Sequence, residues 1–195
     1  MLDEDYPIYH LGIRKGDSVV DVGSGQFPFR LATAVVDKFR DDSTERSGTP
    51  IKLNPSQKFI EADIEDMGVI KDKEFKYSIA SHILEHVEDP KKACAELMRI
   101  SKAGYIETPS VFFELMFSIW HKPKPYHRWV VSKEGNRLIF RPREKLLEAF
   151  KPIIGLGLNN AIPDASLHEA WRGHPDFFYT RFVWKEGFEV EVREW

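Results

Sequence analysis

The sequence predicts an α/β fold: a doubly wound, three-layer α/β/α sheet that is mostly parallel and ends in an antiparallel hairpin. Short apolar runs such as 19–22 recur along the chain and stop at polar residues. A segment with helical periodicity, which begins at Pro90 and ends near 102–104, follows the fourth of these runs. Strands that alternate with helices favour a parallel sheet that is covered on both faces.

The predicted strands of the parallel part follow one another at short intervals. Only 26–31 is left for a crossover helix between the first two strands, so this helix would have a turn or two, with Pro28 in its first turn. Asp89 and Pro90 supply an N-cap and a first helical residue for the later helix. The five predicted strands are 19–22, 32–36, 58–63, 77–81 and 105–108.

The later part of the chain has a different pattern. Apolar residues repeat at helical spacing over 112–120, and only Glu114 among them is charged. Core packing, a dimer face or a lid over an apolar substrate would each explain this stripe. One further helix and two hairpins are predicted, at 143–150, 129–140 and 179–192.

Composition indicates an ordinary globular protein. With 195 residues, 42% of them hydrophobic, the chain is predicted to be one domain, 1–195, with 111–141 as a lid or substrate insert. The net charge of −3 gives no reason to expect nucleic-acid binding. Cys94 is the single cysteine, which fits a reducing, cytoplasmic location and a buried apolar role. No transmembrane segment or signal peptide is predicted, and a homodimer is possible.

A glycine turn follows the first strand. Asp21 ends an apolar run, and Gly23 and Gly25 come after it. Glycine in this position lets the backbone turn sharply and pass close to a ligand. Asp37 and Asp63 follow the next two strands, where carboxylates can bind a ribose and an adenine amino group. The arrangement predicts an adenosine site at the carboxyl edge of the sheet.

The spacing of the glycines bears on which adenosine ligand binds. A dinucleotide fold favours a third glycine, but Pro28 stands in its place. There is also no phosphate-binding loop of the Gly-x-x-x-x-Gly-Lys-Ser/Thr type. These features favour S-adenosylmethionine, which has no pyrophosphate. A nucleotide- or NAD-binding oxidoreductase and a non-catalytic adenosine-binding scaffold remain the alternatives.

As a set, these motifs resemble those of the class I S-adenosylmethionine-dependent methyltransferases, in particular the small-molecule, type 11-like subgroup. Segment 20–25 resembles the family's glycine-rich motif, 61–67 its adenine-side motif, and 79–90 its fourth-strand signature ending in Asp-Pro. The resemblance implies a Rossmann-like, seven-stranded sheet and methyl transfer that leaves S-adenosylhomocysteine. It implies the following cofactor-binding residues: Asp21, Gly23, Ser24, Gly25, Gln26, Asp37, Ala62, Asp63, Ile64, Ser81 and His82.

Three histidines are candidates for a catalytic role. His82 and His86 follow the fourth strand, and His127 lies in the predicted insert. Each could accept a proton from a substrate hydroxyl or amine, although packing alone would also explain His86 and His127. Methyl transfer to a good nucleophile can also proceed by alignment alone, without a general base. The residues around His127 that could form a substrate wall are Trp120, His121, Tyr126, Arg128 and Trp129.

The predicted acceptor is a small molecule, a glycan or a lipid-linked precursor. No metal site is predicted. His168 and His174 lie six positions apart, but no third ligand accompanies them.

Overall fold

The computed structural model describes residues 5–40, 49–120, 126–154, 169–170 and 173–195. The strands are β1 Val19–Val22, β2 Ala34–Asp37, β3 Lys58–Glu61, β4 Phe75–Ser81, β5 Ser101–Pro109, β6 Trp129–Glu134, β7 Arg137–Pro142, β8 Tyr179–Lys185 and β9 Glu189–Val192. The helices are α1 Asp5–Leu11, α2 Pro90–Ile100, α3 Val111–Trp120, α4 Arg143–Ile154 and α5 Pro175–Phe178.

The main sheet confirms the predicted fold class. Its strand order is β3-β2-β1-β4-β5-β8. The first five of these strands run parallel to their neighbours, and β8 runs antiparallel to β5 at the edge. The order reverses beside β1, so the carboxyl ends of β1 and β4 border the crevice where ligands bind in sheets of this kind.

The prediction of a C-terminal hairpin was wrong in its pairing. The strands β8 and β9 lie in different sheets, and β9 instead pairs parallel with β7 in a three-stranded sheet with β6. The first four residues of β8 are all buried, and a two-stranded hairpin could not cover them. Pairing with β5 provides that cover. The other predicted hairpin, β6 with β7, is confirmed, and Gly135 takes a positive φ of 58° in its turn.

The crossover between β1 and β2 contains turns in place of the expected short helix. Asp21 accepts a hydrogen bond of 2.6 Å from the backbone N–H of Phe29, and Gln57 donates to the Phe29 carbonyl at 3.0 Å. Phe29 itself is fully buried. The segment is therefore held by one buried side chain and its backbone contacts, which substitute for a helix that the short connection cannot accommodate.

Helix α2 covers one face of the sheet as predicted. The Asp89 side chain caps it by accepting from the N–H groups of Lys91 and Lys92, at 3.0 and 3.2 Å. Cys94 is fully buried on the inner face, as expected, and this burial raises the pKa of its thiol. Among the described residues, no helix is both long and apolar enough to cross a membrane.

Gly104 lies where β5 passes closest to its neighbours in the sheet. A Cβ at this position would be 2.5 Å from Ser78 Oγ and 2.8 Å from Trp184 Nε1. Because Trp184 is fully buried, we expect Gly104→Ala to lower the free energy of unfolding by about 3 kcal/mol, as overpacked cores do. Urea denaturation measures this. Gly173→Ala is the control, since a Cβ there would meet nothing within 4 Å. Equal stability of the two variants would contradict this view of the β5 packing.

Candidate functional site

A cavity of about 400 Å³ lies at the carboxyl ends of the parallel strands. Its volume falls in the range of about 300–1,000 Å³ that is common for small-ligand sites. Its wall is contributed by the loops after β1, β2, β3 and β4, and by the segment before β6. The lining residues include Gly23, Gly25, Asp37, Phe39, Ala62, Asp63, Ile64, His82, His86 and Arg128.

The glycine turn forms one wall of the cavity. Gly23 has a φ of +67°, and its N–H donates to the Val36 carbonyl at 2.8 Å, so the turn is fixed to the end of β2. A Cβ on Gly23 would lie 2.6 Å from Cγ1 of Ile83. Gly25 also has a positive φ, +63°, but a Cβ there would meet nothing within 4 Å. Only Gly23 is therefore required by both conformation and space.

Two carboxylates, Asp37 and Asp63, also line the cavity. Asp37 accepts a hydrogen bond from the Phe39 N–H at 3.0 Å, which fixes the turn after β2. Asp63 accepts from the Glu65 N–H at 2.9 Å and pairs with Lys38 at 2.9 Å. Burial alone would raise the pKa of Asp63, but the Glu65 N–H and Lys38 hold it below its usual value. Asp63 is therefore ionised at neutral pH and able to accept further hydrogen bonds.

The structure brings most of the predicted cofactor residues to this cavity. Those that line it are Gly23, Gly25, Asp37, Ala62, Asp63, Ile64 and His82. The remaining four, Asp21, Ser24, Gln26 and Ser81, are outside the lining. Asp21 is only 3% exposed, and its contact with Phe29 places it beneath the turn.

His82 stands at the end of β4 with a backbone conformation that is rare for a side chain of its size. Its φ is +56°, and its N–H donates to the Glu107 carbonyl at 2.8 Å. The ring lies between two buried carboxylates: Nδ1 is 3.4 Å from Glu85 Oε1, and Nε2 is 3.5 Å from Glu107 Oε1. Strained residues of this kind concentrate at functional sites.

The two carboxylates determine the protonation of His82. Burial alone would lower the pKa of His82, but Glu107 and Glu85 outweigh it and raise the pKa to about 9. The imidazole is therefore mainly charged at neutral pH. A charged imidazole can donate hydrogen bonds or balance negative charge, but it cannot accept a proton from a substrate.

Glu107 is the centre of a buried polar group beneath the cavity. The Tyr105 hydroxyl donates to Glu107 Oε2 at 2.5 Å, and Arg181 Nε lies 3.3 Å from the same oxygen. Burial would raise the pKa of Glu107, but His82, Tyr105 and Arg181 together lower it. Burial also raises the pKa of the Tyr105 hydroxyl, so this group remains a donor.

A buried ion pair between Glu114 and Arg143 contacts the ring of His127. Glu114 of α3 lies 2.5 Å from His127 Nδ1, and its other oxygen accepts from Arg143. His127 and His86 meet edge to face, with 4.7 Å between ring centroids, and His86 Nδ1 is 3.2 Å from the Tyr126 carbonyl. The predicted insert thus contacts the loop after β4 directly. Its His121 lies outside the described residues, as does His168 further along the chain.

Sequence reasoning missed the acids beneath the histidines. Glu85, Glu107 and Glu114 are 1%, 0% and 2% exposed, and each faces a cation: His82, Arg181 and Arg143 in turn. Glu114 carried a signal, because it is the one charged residue in the apolar stripe of α3. Burial of a lone acid on an apolar helix requires a partner. No sequence pattern identified Arg143 or Arg181 as such partners.

Comparison with known proteins agrees with this geometry. Residues 20–106 match the family model of the type 11 methyltransferase domain. These residues contain β1 to β4, α2 and most of β5, and therefore most of the cavity wall. A search of curated protein sequences finds no match.

Several solved structures are similar to this chain at low sequence identity. A chain in the complex of the Haloferax volcanii Trm112 methyltransferase activator with a methyltransferase is 13% identical, with a TM-score of 0.51, covering 94% of this chain and 92% of that one. A protein described as a methyltransferase from an antibiotic biosynthesis pathway of Anabaena variabilis is 17% identical, with a TM-score of 0.45 and 55% of this chain covered. A SAM-dependent methyltransferase from Aquifex aeolicus is 15% identical, with a TM-score of 0.42, covering 56% of this chain and 65% of that one.

The chain spans 45% of the Anabaena protein's length. The likeness to the Haloferax complex, which extends over almost the whole chain, shows the fold. The resemblance drawn from the sequence motifs is confirmed over residues 20–106, which match the model of a methyltransferase domain.

Proposed function

We propose that the protein transfers a methyl group from S-adenosylmethionine to a small-molecule, glycan or lipid-linked acceptor. The observation that carries this proposal is the cavity, which combines a Gly23 turn without room for a side chain with Asp37 and Asp63 on neighbouring strand ends. In this arrangement Asp37 binds the ribose hydroxyls, and Asp63 accepts from the adenine amino group. The apolar side chains of Val36, Ile64 and Val87 also line the cavity and suit the flat face of a base.

The methyl-facing end of the cavity is then the part formed by His82, His86, Tyr126 and Arg128. All four line the cavity, and the last two belong to the predicted insert 111–141. Alignment of an acceptor against the methyl carbon supplies much of the rate in such a reaction. In this proposal His82 acts as a fixed cation, since its raised pKa of about 9 opposes a role as general base. Tyr126 and Arg128 form the acceptor side of the site.

Binding of the reaction product tests the cofactor assignment. We expect S-adenosylhomocysteine to raise the melting temperature and to give a saturable calorimetric signal, while NAD gives neither. A tritiated methyl-transfer assay over a panel of hydroxylated, amino and glycan acceptors then tests the activity. The proposal is wrong if NAD binds and S-adenosylhomocysteine does not. Binding of S-adenosylhomocysteine with no transfer to any acceptor would favour a non-catalytic scaffold.

A further inference from the structure

We propose that Glu85, His86 and His127 form a site for a divalent transition-metal ion beside the cofactor cavity. One ligand atom from each of these side chains lies within 4.8 Å of the others. The set contains two imidazole nitrogens and one carboxylate, which suits ions such as Zn²⁺ or Fe²⁺ better than Mg²⁺. The sequence patterns predicted no metal site, because His127 is far along the chain from the other two.

Glu85 is the first reason for the assignment. The residue is 1% exposed, yet neither of its carboxylate oxygens makes a hydrogen bond to the described residues. A buried carboxylate without hydrogen bonds is costly, and the 3.4 Å approach of His82 compensates for this only in part. A bound cation would satisfy both oxygens.

The tautomers of the two histidines are the second reason. Nδ1 of His86 lies 3.2 Å from the Tyr126 carbonyl, which can only accept, so this nitrogen carries the hydrogen. Nδ1 of His127 lies 2.5 Å from Oε1 of Glu114, and a carboxylate oxygen accepts, so this nitrogen is also the donor. Of the two nitrogens of each ring, Nε2 is therefore the one that would ligate an ion. A carboxylate that holds a histidine in this way is the usual outer support of a histidine metal ligand.

The distances are close to those of a metal centre. Nε2 of His86 is 3.8 Å from Oε1 of Glu85. Ligand atoms at about 2.0–2.2 Å from one ion lie roughly 3–4 Å apart, so a set within 4.8 Å needs to close by about 1–2 Å at most. Because His86 lines the cavity, the open coordination positions of the ion would adjoin it. If methyl transfer is the function, as proposed above, an acceptor with a metal-binding hydroxyl or carboxylate fits this site.

Metal content measured on the whole protein tests the site. After chelator treatment, equilibrium dialysis against Zn²⁺, Mn²⁺ or Mg²⁺ is followed by elemental analysis. We expect one strongly held Zn²⁺ per chain, weaker Mn²⁺ and no Mg²⁺. Glu85→Gln and His86→Gln are expected to weaken Zn²⁺ binding at least about tenfold, and Glu114→Gln about 10- to 100-fold through His127. His10→Gln, a change at an exposed histidine of α1, is the control and leaves binding unchanged.

The outcomes separate this site from the proposed function. Absence of bound Zn²⁺, or equal binding by the wild-type protein and both ligand variants, overturns the metal site. If Glu85→Gln does not fold by circular dichroism, His86→Gln decides, since this side chain is 33% exposed. Binding of S-adenosylhomocysteine is measured in parallel. Zn²⁺ binding without it supports the metal site and contradicts methyl transfer.

Discussion

Replacement of Asp37 by alanine is expected to weaken S-adenosylhomocysteine binding by at least about 100-fold, with little change in folding. The side chain lines the cavity at the end of β2, where one carboxylate can accept from both ribose hydroxyls. Two hydrogen bonds to a charged group contribute about 3 kcal/mol together, which corresponds to this factor. Isothermal titration calorimetry measures the affinity, and thermal unfolding of the unliganded variant measures its stability.

Two further variants sharpen the Asp37 test. Asp37→Asn keeps an oxygen for the Phe39 N–H and loses only the charge, so its affinity is expected to fall between those of the wild type and Asp37→Ala. Glu61→Ala is the matched control, because Glu61 pairs with Asp37 in the sheet register, is exposed and lies outside the cavity lining. Unchanged affinity in Asp37→Ala would show that the ribose assignment is wrong.

Replacement of Gly23 by alanine is expected to remove cofactor binding and to lower the free energy of unfolding by about 3 kcal/mol. The new Cβ would lie 2.6–2.9 Å from three side-chain atoms of Ile83, and one of them is the Cβ of Ile83, which cannot move without its backbone. The φ of +67° adds strain for any residue with a side chain. Since the turn forms the cavity wall, its displacement alters the site itself.

Gly12→Ala separates these two causes. Gly12 has nearly the same φ, +68°, but a Cβ there would meet nothing within 4 Å. Its substitution is expected to cost about 1 kcal/mol from backbone strain alone and to leave S-adenosylhomocysteine affinity unchanged. Urea denaturation and calorimetry on both variants give the comparison. Equal losses of stability would show that contact with Ile83 is unimportant.

The part of the site that could be predicted from sequence lies close together along the chain. The Gly23 turn, Asp37 and Asp63 lie at or just after the ends of β1, β2 and β3, so the order of strands was sufficient to bring them to one edge. The misplaced C-terminal hairpin shows where this logic ends. The local pattern of 179–192 is that of two strands with a turn. The pairing of β8 with β5 depends on the tertiary structure, because the main sheet buries the side chains of β8.

The protonation of His82 shows the same limit at a single residue. Its position after β4 suggested a general base, and the sequence could not show that Glu85 and Glu107 would enclose its ring. These contacts raise its pKa and reverse the expected proton chemistry. His127 is similar, because its carboxylate partner, Glu114, belongs to a separate helix.

The sequence by itself determined the parallel sheet and the position of the Gly23 turn, Asp37 and Asp63 at one edge of it, because each depends on short segments whose order is preserved in the fold. Only the tertiary structure decided how charge is distributed beneath the cavity. Glu85, Glu107 and Glu114 come from three separate segments and meet the histidines only after folding. Electrostatic interactions act through space, and in the interior of a protein they are strong enough to change protonation and to create a possible metal site.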